Sequence, residues 1–275
     1  MIETLAHKAS RVDYRLKQLR ALQHEFGAAN ALHGLYGKIF DETNAPTLTV
    51  TNPLLDHPLS LRRTYSDMWG FIEVCRNKDY AIPDQLMNSV HKKPIVDLGA
   101  YIGNTAAYFA STYRHSPVVA IEPLMDNYEL LKANASAYAG QIATHKAAVS
   151  PNKGKVRRVP FGANTHDKML SGFLPAADGN EVVDVDTFTP QDVVNVVDGQ
   201  DIGILKVDIE GAERYFFDSP TIGELLQKTG ILLIETHDQW VAGCSDTVHV
   251  ASTEAGMQLS PLGSRTTMYV ASALQ

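Results

Sequence analysis

The chain has 275 residues, 44% of them hydrophobic, which is enough to bury the core of one large α/β domain with an appendage. A net charge of −7 with no basic cluster beyond Arg157-Arg158 excludes a nucleic-acid backbone as the main partner, and no window approaches the apolar span needed to cross a membrane. The only cysteines, Cys75 and Cys244, lie far apart and without metal-ligand spacing, which excludes a disulfide framework and a zinc site and predicts a reducing, cytoplasmic setting.

Residues 1–40 read as a helical extension. Apolar residues recur at Leu5, Ala9, Val12, Leu16 and Leu19, in alternating steps of four and three. That spacing predicts an amphipathic helix from Leu5 to Phe26, with Lys8, Arg11, Arg15, Lys17 and Arg20 largely off the stripe. Such a helix covers an apolar face, closes over a site as a lid or joins a homodimer. Residues 41–93 form a transition with prolines at 46, 53 and 58 and predicted strands at Thr47–Val50 and Leu59–Arg62. Tyr65 and Trp69 in this segment, with Trp240 much later, are candidate walls for an acceptor pocket.

From Pro94 onward, through residue 275, apolar strands alternate with helical segments, the pattern of a mostly parallel sheet with helices on both faces. Ile95, Val96 and Leu98 give a buried strand that runs into a turn whose glycines, Gly99 and Gly103, let the backbone bend tightly and approach a ligand, with Ala100 between them as a further expected contact. Asn104 and Thr105 then open a helix whose unpaired N–H groups suit a ligand carboxylate, while Asp97 is placed to balance an ammonium or sulfonium. A second strand, Pro117–Ile121, ends at Glu122-Pro123, near the interval of about 20 residues at which a ribose-binding acid follows such a turn. The spacing departs from G-x-G-x-x-G and a carboxylate at Asp97 suits a pyrophosphate poorly, so S-adenosylmethionine is favoured over a nicotinamide cofactor.

A helix over Asp126–Tyr138 and a third strand over Ile142–Val149 follow, with Ala147 near its end counted among the cofactor contacts. The stretch from Asn152 to Gly179, rich in glycine and proline, reads as a hairpin and a long loop. Further strands are predicted at Glu181–Thr187, Ile202–Asp208 and Gly230–Thr236, with an antiparallel edge strand at Thr267–Ala273.

Ligands of open α/β sheets bind beyond the carboxyl ends of the strands, so Asp97, Glu122, Asp208 and Glu235 are expected along one rim. His237, neutral enough near physiological pH to accept a proton, is the expected base with Asp208 or Glu210. A divalent ion on these groups is weighed and set aside, leaving no metal in the expected mechanism; Glu210 and Glu213 also read as charges on the first turn of the following helix.

The run Leu205-Lys206-Val207-Asp208-Ile209-Glu210-Gly211-Ala212-Glu213, with the Asp97 turn, Glu122-Pro123 and Leu61-Arg62-Arg63-Thr64-Tyr65-Ser66-Asp67, resembles the FkbM-type family of S-adenosylmethionine-dependent methyltransferases over roughly Leu59 to Glu235. The resemblance implies a class I methyltransferase fold, a Rossmann-like sheet of seven strands with one antiparallel. It also implies O-methylation of a small molecule, a natural product or sugar hydroxyl. Other classes consistent with the residues are an N- or C-methyltransferase, a nicotinamide-dependent oxidoreductase and a cofactor-binding protein without turnover.

Overall fold

A computed structural model describes residues 17–28, 30, 47–160, 171–176, 185–262 and 266–274. Helix α1, residues 17–26, is the described part of the predicted N-terminal helix; Leu5, Ala9, Val12 and Leu16 lie outside the described residues. Leu22 on α1 is fully buried against Met68 and Ile72. Strands β1 (Thr47–Val50) and β2 (Leu59–Arg62) pair antiparallel as predicted. Helix α2 (Tyr65–Phe71) starts where Thr64 Oγ1 accepts from Asp67 N, and continues as a π-helical segment over Ile72–Asn77. A short helix α3 (Met87–Val90) leads into the sheet.

The parallel units follow in chain order. Strand β3 (Ile95–Leu98) feeds α4 (Asn104–Thr112), β4 (Val118–Ile121) feeds α5 (Met125–Ala135), and β5 (Ile142–His145) comes next. The predicted third strand is interrupted after His145: β6 (Ala148–Val149) leaves the main sheet to pair with β9 (Thr187–Phe188). Between them β7 (Val156–Pro160) and β8 (Ser171–Pro175) make the expected hairpin, and residues 177–184, including most of the predicted Glu181–Thr187 strand, lie outside the described residues. Helix α6 (Pro190–Val196) opens with a reciprocal cap between Thr189 and Asp192 and a proline in its first turn. The chain ends with β10 (Ile202–Val207), α7 (Glu213–Phe217), α8 (Ile222–Gln227), β11 (Thr229–Ile234), α9 (Cys244–Glu254), β12 (Met257–Pro261) and β13 (Thr267–Ala271).

Seven strands form one sheet in the order β12-β13-β11-β10-β3-β4-β5. Only β13 runs against the others, because it is antiparallel to both β11 and β12. It is not the predicted edge strand: β12 lies outside it. Alternate side chains along each inner strand feed two cores, one holding Ile95, Val118, Ile204 and Ile231, the other Val96, Val119, Leu205 and Leu232. The order reverses at β3, whose neighbours are β4 on one side and β10 on the other, and a crevice opens there beyond the strand ends. No helix among the described residues is long and apolar enough to cross a membrane.

Candidate functional site

The crevice is a cavity of about 380 Å³ lined by Gly99, Ala100, Asn104, Thr105, Glu122 and Pro123 at one part and by Asp208, Glu210, Glu235 and His237 at another. The turn after β3 is held by its neighbours, since Gly99 N and Ala100 N both donate to Ile121 O at 3.0 and 2.9 Å. Gly99 has φ +80°, and a Cβ there would sit 1.8 Å from the Asp208 carbonyl oxygen, so β3 and β10 approach too closely for any side chain. Glu122, at the end of β4, accepts from Tyr101 N, Leu124 N and Asn127 Nδ2, each at 3.1 Å. Burial pushes its carboxyl up to about 7 against those three hydrogen bonds. Asn104, in the first turn of α4, is 4% exposed, and its Oδ1 has no hydrogen-bond partner among the described residues. A buried acceptor facing a cavity beside a helix N-terminus and a ribose-height carboxylate fits a ligand with an ammonium, a carboxylate and a ribose.

Asp97 stands elsewhere than expected. It is fully buried and does not line the cavity; its Oδ1 lies 3.0 Å from Lys206 Nζ. Lys206 also donates to Gly99 O at 2.7 Å and packs 5.6 Å from the centre of the Tyr80 ring. Burial opposes its charge, but Asp97 and Asp208 outweigh burial and raise the ammonium above its ordinary value. Asp97 therefore supports the turn from behind, and Lys206, given no role in the sequence reading, takes the place beside it. Ala147 is a second correction: it is 1% exposed within the core under β6, and Val149 reaches the cavity instead. Gly103 shapes the entry to α4 without lining the cavity; a Cβ there would meet Leu131 Cδ1 at 2.9 Å.

At the ends of β10 and β11 the expected rim is assembled. Glu210 adopts a left-handed φ of 53°, which for a non-glycine residue is strained, and its Oε2 lies 3.5 Å from His237 Nε2. Asp208 Oδ1 is 3.7 Å from the same nitrogen, and Asp208 Oδ2 accepts from Tyr80 OH at 3.4 Å. The other imidazole nitrogen, Nδ1, donates to Glu213 Oε1 at 2.9 Å, and Glu213 is fully buried. Glu213 is thus more than a charge on the first turn of α7: it orients His237. Burial works against an imidazolium, yet the Glu213 hydrogen bond and the Glu210 and Asp208 carboxylates raise His237 to about 10. The expectation of a neutral histidine fails because three carboxylates surround it. Burial likewise raises Glu210 to about 8, with His237 opposing.

The three aromatics named in the sequence reading line the cavity. Tyr65 and Trp69 stack with centroids 6.0 Å apart and planes 3° from parallel, and Trp69 Nε1 donates to Glu73 Oε1 at 2.6 Å. Trp240 also lines the cavity, at 44% exposure, as do Gln18 of α1, Ser66, Glu73 and Tyr80, which sequence reasoning passed over. A sheet with one reversed strand and a polar cavity at its switch point is the class I methyltransferase architecture.

The family model for the methyltransferase FkbM domain matches residues 97–257, more than half of the chain. The chain belongs to that family and is an S-adenosylmethionine-dependent methyltransferase. Comparison with curated protein sequences returns no match. Among solved structures, cofactor-bound Rv0187 from MTB is similar at 9% identity and TM-score 0.44, over 94% of this chain and 95% of that one. M. jannaschii TYW2 in complex with AdoMet is similar at 12% identity and TM-score 0.40, over 82% of this chain and 84% of that one.

Proposed function

We propose that the chain methylates a hydroxyl oxygen of a small molecule, a natural product or a sugar, in a reducing and cytoplasmic setting. The observation that carries the reading is the cluster of Asp208, Glu210 and His237 facing the same cavity as Glu122 and Asn104. Bound S-adenosylmethionine supplies a methyl group on a positively charged sulfur, and the new O–CH3 bond forms as the CH3–S bond breaks with its electron pair left on sulfur.

The chain's own residues divide the remaining work. Glu122 holds ribose hydroxyls, while the turn at Gly99 and Ala100 and the first turn of α4, with Asn104 and Thr105, hold the amino-acid end. Tyr65, Trp69 and Trp240 offer flat faces to a ring, and Glu235 a hydrogen-bond acceptor at the rim. The carboxylate and imidazole cluster sits where the proton of the acceptor hydroxyl must leave, and a basic group positioned for that transfer typically contributes about 10²–10⁴-fold in rate. Helix α1 borders this pocket through Gln18 and docks through Leu22, which supports residues 1–40 as a lid or homodimer contact. Both cysteines are buried and unpaired, in keeping with a reducing compartment.

The test is transfer of an isotopically labelled methyl group to a panel of hydroxylated, amino and RNA acceptors. Label on oxygen of small molecules is expected, with His237→Ala and Glu210→Gln lowering kcat by about 100-fold or more while adenosylhomocysteine still binds. Label confined to nitrogen, carbon or RNA overturns the reading.

A further inference from the structure

We propose that Asp208, Glu210 and His237 form a seat for a divalent cation that binds the acceptor's hydroxyl oxygen, an inference that rests on the O-methylation reading above. One ligand atom from each residue lies within 4.8 Å of the other two, and all three residues line the cavity. The distances from His237 Nε2 to Asp208 Oδ1 (3.7 Å) and to Glu210 Oε2 (3.5 Å) are long for hydrogen bonds. They fit ligands around a shared ion: with bonds of about 2.1 Å, neighbouring octahedral ligands stand about 3 Å apart and opposite ones about 4.2 Å.

A second observation comes from the imidazole itself. His237 is 4% exposed, and Nδ1 is committed to the buried Glu213 at 2.9 Å. Nε2 has no hydrogen-bond partner among the described residues and is aimed at the two carboxylates. A histidine pinned by a carboxylate on one nitrogen, with the other turned into a cluster of oxygens, is the arrangement by which proteins hold an imidazole for a metal. The cluster is rich in oxygen: Asp208, Glu210, Glu213 and Glu235 share this corner, and Lys206 beside it is already held by Asp97 and the Gly99 carbonyl, so a bound ion would take the place of the proton that His237 otherwise keeps among these carboxylates. Two carboxylates with one imidazole suit Mn(II) or Mg(II) and leave neighbouring positions for an acceptor oxygen and water. On such an ion the hydroxyl loses its proton to water more readily, and its oxygen then takes the methyl group as described above.

The experiment titrates Mn(II) into chelator-treated full-length protein in the presence of adenosylhomocysteine and follows the free-ion electron paramagnetic resonance signal. One bound ion per chain is expected. Glu210→Gln and His237→Ala are expected to weaken it by at least about tenfold, and Glu213→Gln by about 10–100-fold through loss of the imidazole's support. Calorimetric binding of adenosylhomocysteine by the same preparations verifies that each variant is folded. A signal that stays that of the free ion, or equal binding by wild type and variants, overturns the site. If adenosylhomocysteine binds and Mn(II) does not, the cation seat falls while the methyltransferase stands. If Mn(II) binds and labelled methyl goes only to nitrogen or carbon, the seat stands and the hydroxyl as its ligand falls.

Discussion

Lys206 and Asp97 are the residues on which the turn after β3 rests: Lys206 lines the cavity and holds the Gly99 carbonyl, while Asp97 stays behind it. Removing the ammonium leaves the Asp97 carboxylate fully buried without its ion partner. Lys206→Met is therefore expected to cost about 3–5 kcal/mol by thermal or denaturant unfolding, and the double variant Lys206→Met with Asp97→Leu to recover most of that loss. A double variant no more stable than the single one would show that the pairing is not what the lysine contributes. At Gly99 the expectation is more severe: a methyl group 1.8 Å from the Asp208 oxygen at φ +80° has no place, so Gly99→Ala should cost more than about 4 kcal/mol or prevent folding. Glu122 gives the pH dependence. Its carboxyl is raised by burial from 4.5 to about 7, so the folded protein keeps this proton to higher pH than the unfolded chain. Folding stability from this group falls as pH climbs from about 4.5 through about 7, because the unfolded chain ionises first. Ribose hydroxyls donate best to the ionised form, so calorimetric affinity for adenosylhomocysteine should rise between about pH 6 and about pH 8, and Glu122→Gln should flatten that rise. An affinity independent of pH in the wild type would remove Glu122 from the ribose contact.

Among the elements, β2, α2 and α5 are joined to the cofactor turn by one buried network. Arg62 of β2 grips both oxygens of Asp67 at 2.9 Å and reaches Asn127 Oδ1 at 2.8 Å, while Tyr101 OH donates to Asp67 Oδ1 at 2.6 Å. Asn127 in turn donates to Glu122. Arg62→Met should cost about 3–5 kcal/mol, since Asp67 is fully buried, and Arg62→Lys should recover little because an ammonium cannot make the forked contact. An Arg62→Lys protein as stable as wild type would argue against the fork. Local signals in the sequence carried much of the architecture: Ile95–Leu98, Val118–Ile121 and Ile202–Val207 are short, mostly apolar, β-branched runs that read as inner strands. What escaped depended on partners distant in the chain. Strand β12 escaped because an outer strand with Leu259 at 56% exposure lacks a buried stripe. Lys206 reads locally as a polar break in an apolar run, and only Asp97 on the neighbouring strand gives it a function. The charge on His237 escaped because Glu213, which sets it, comes from a helix one strand earlier and reads locally as a helix-start acid.

At the scale of the whole molecule the N-terminal helix is the attached part. Its Leu22 is buried against Met68 and Ile72 of the segment that carries Tyr65 and Trp69. Deleting residues 1–30 is expected to leave a folded protein that binds adenosylhomocysteine but turns over more slowly, because the acceptor side of the pocket loses Gln18 and its backing. Unchanged turnover and unchanged mass in solution would leave the helix with neither a lid nor a dimer role.

The reversal of strand order at β3 also bears on how the protein is made. The turn at Gly99 is completed by Lys206, 107 residues later, and by strand β10, which pairs with β3 over a similarly long separation, Ile204 opposite Ile95. On the ribosome the first three strands emerge well before β10, so Asp97 waits without its counter-ion until the second half of the chain arrives. Contacts closed over so long an interval form late and slow folding. Cofactor capacity should therefore appear in one step after β10 and β11 have emerged, and a ligand that recognises only the closed crevice stabilises the entire sheet rather than its N-terminal half.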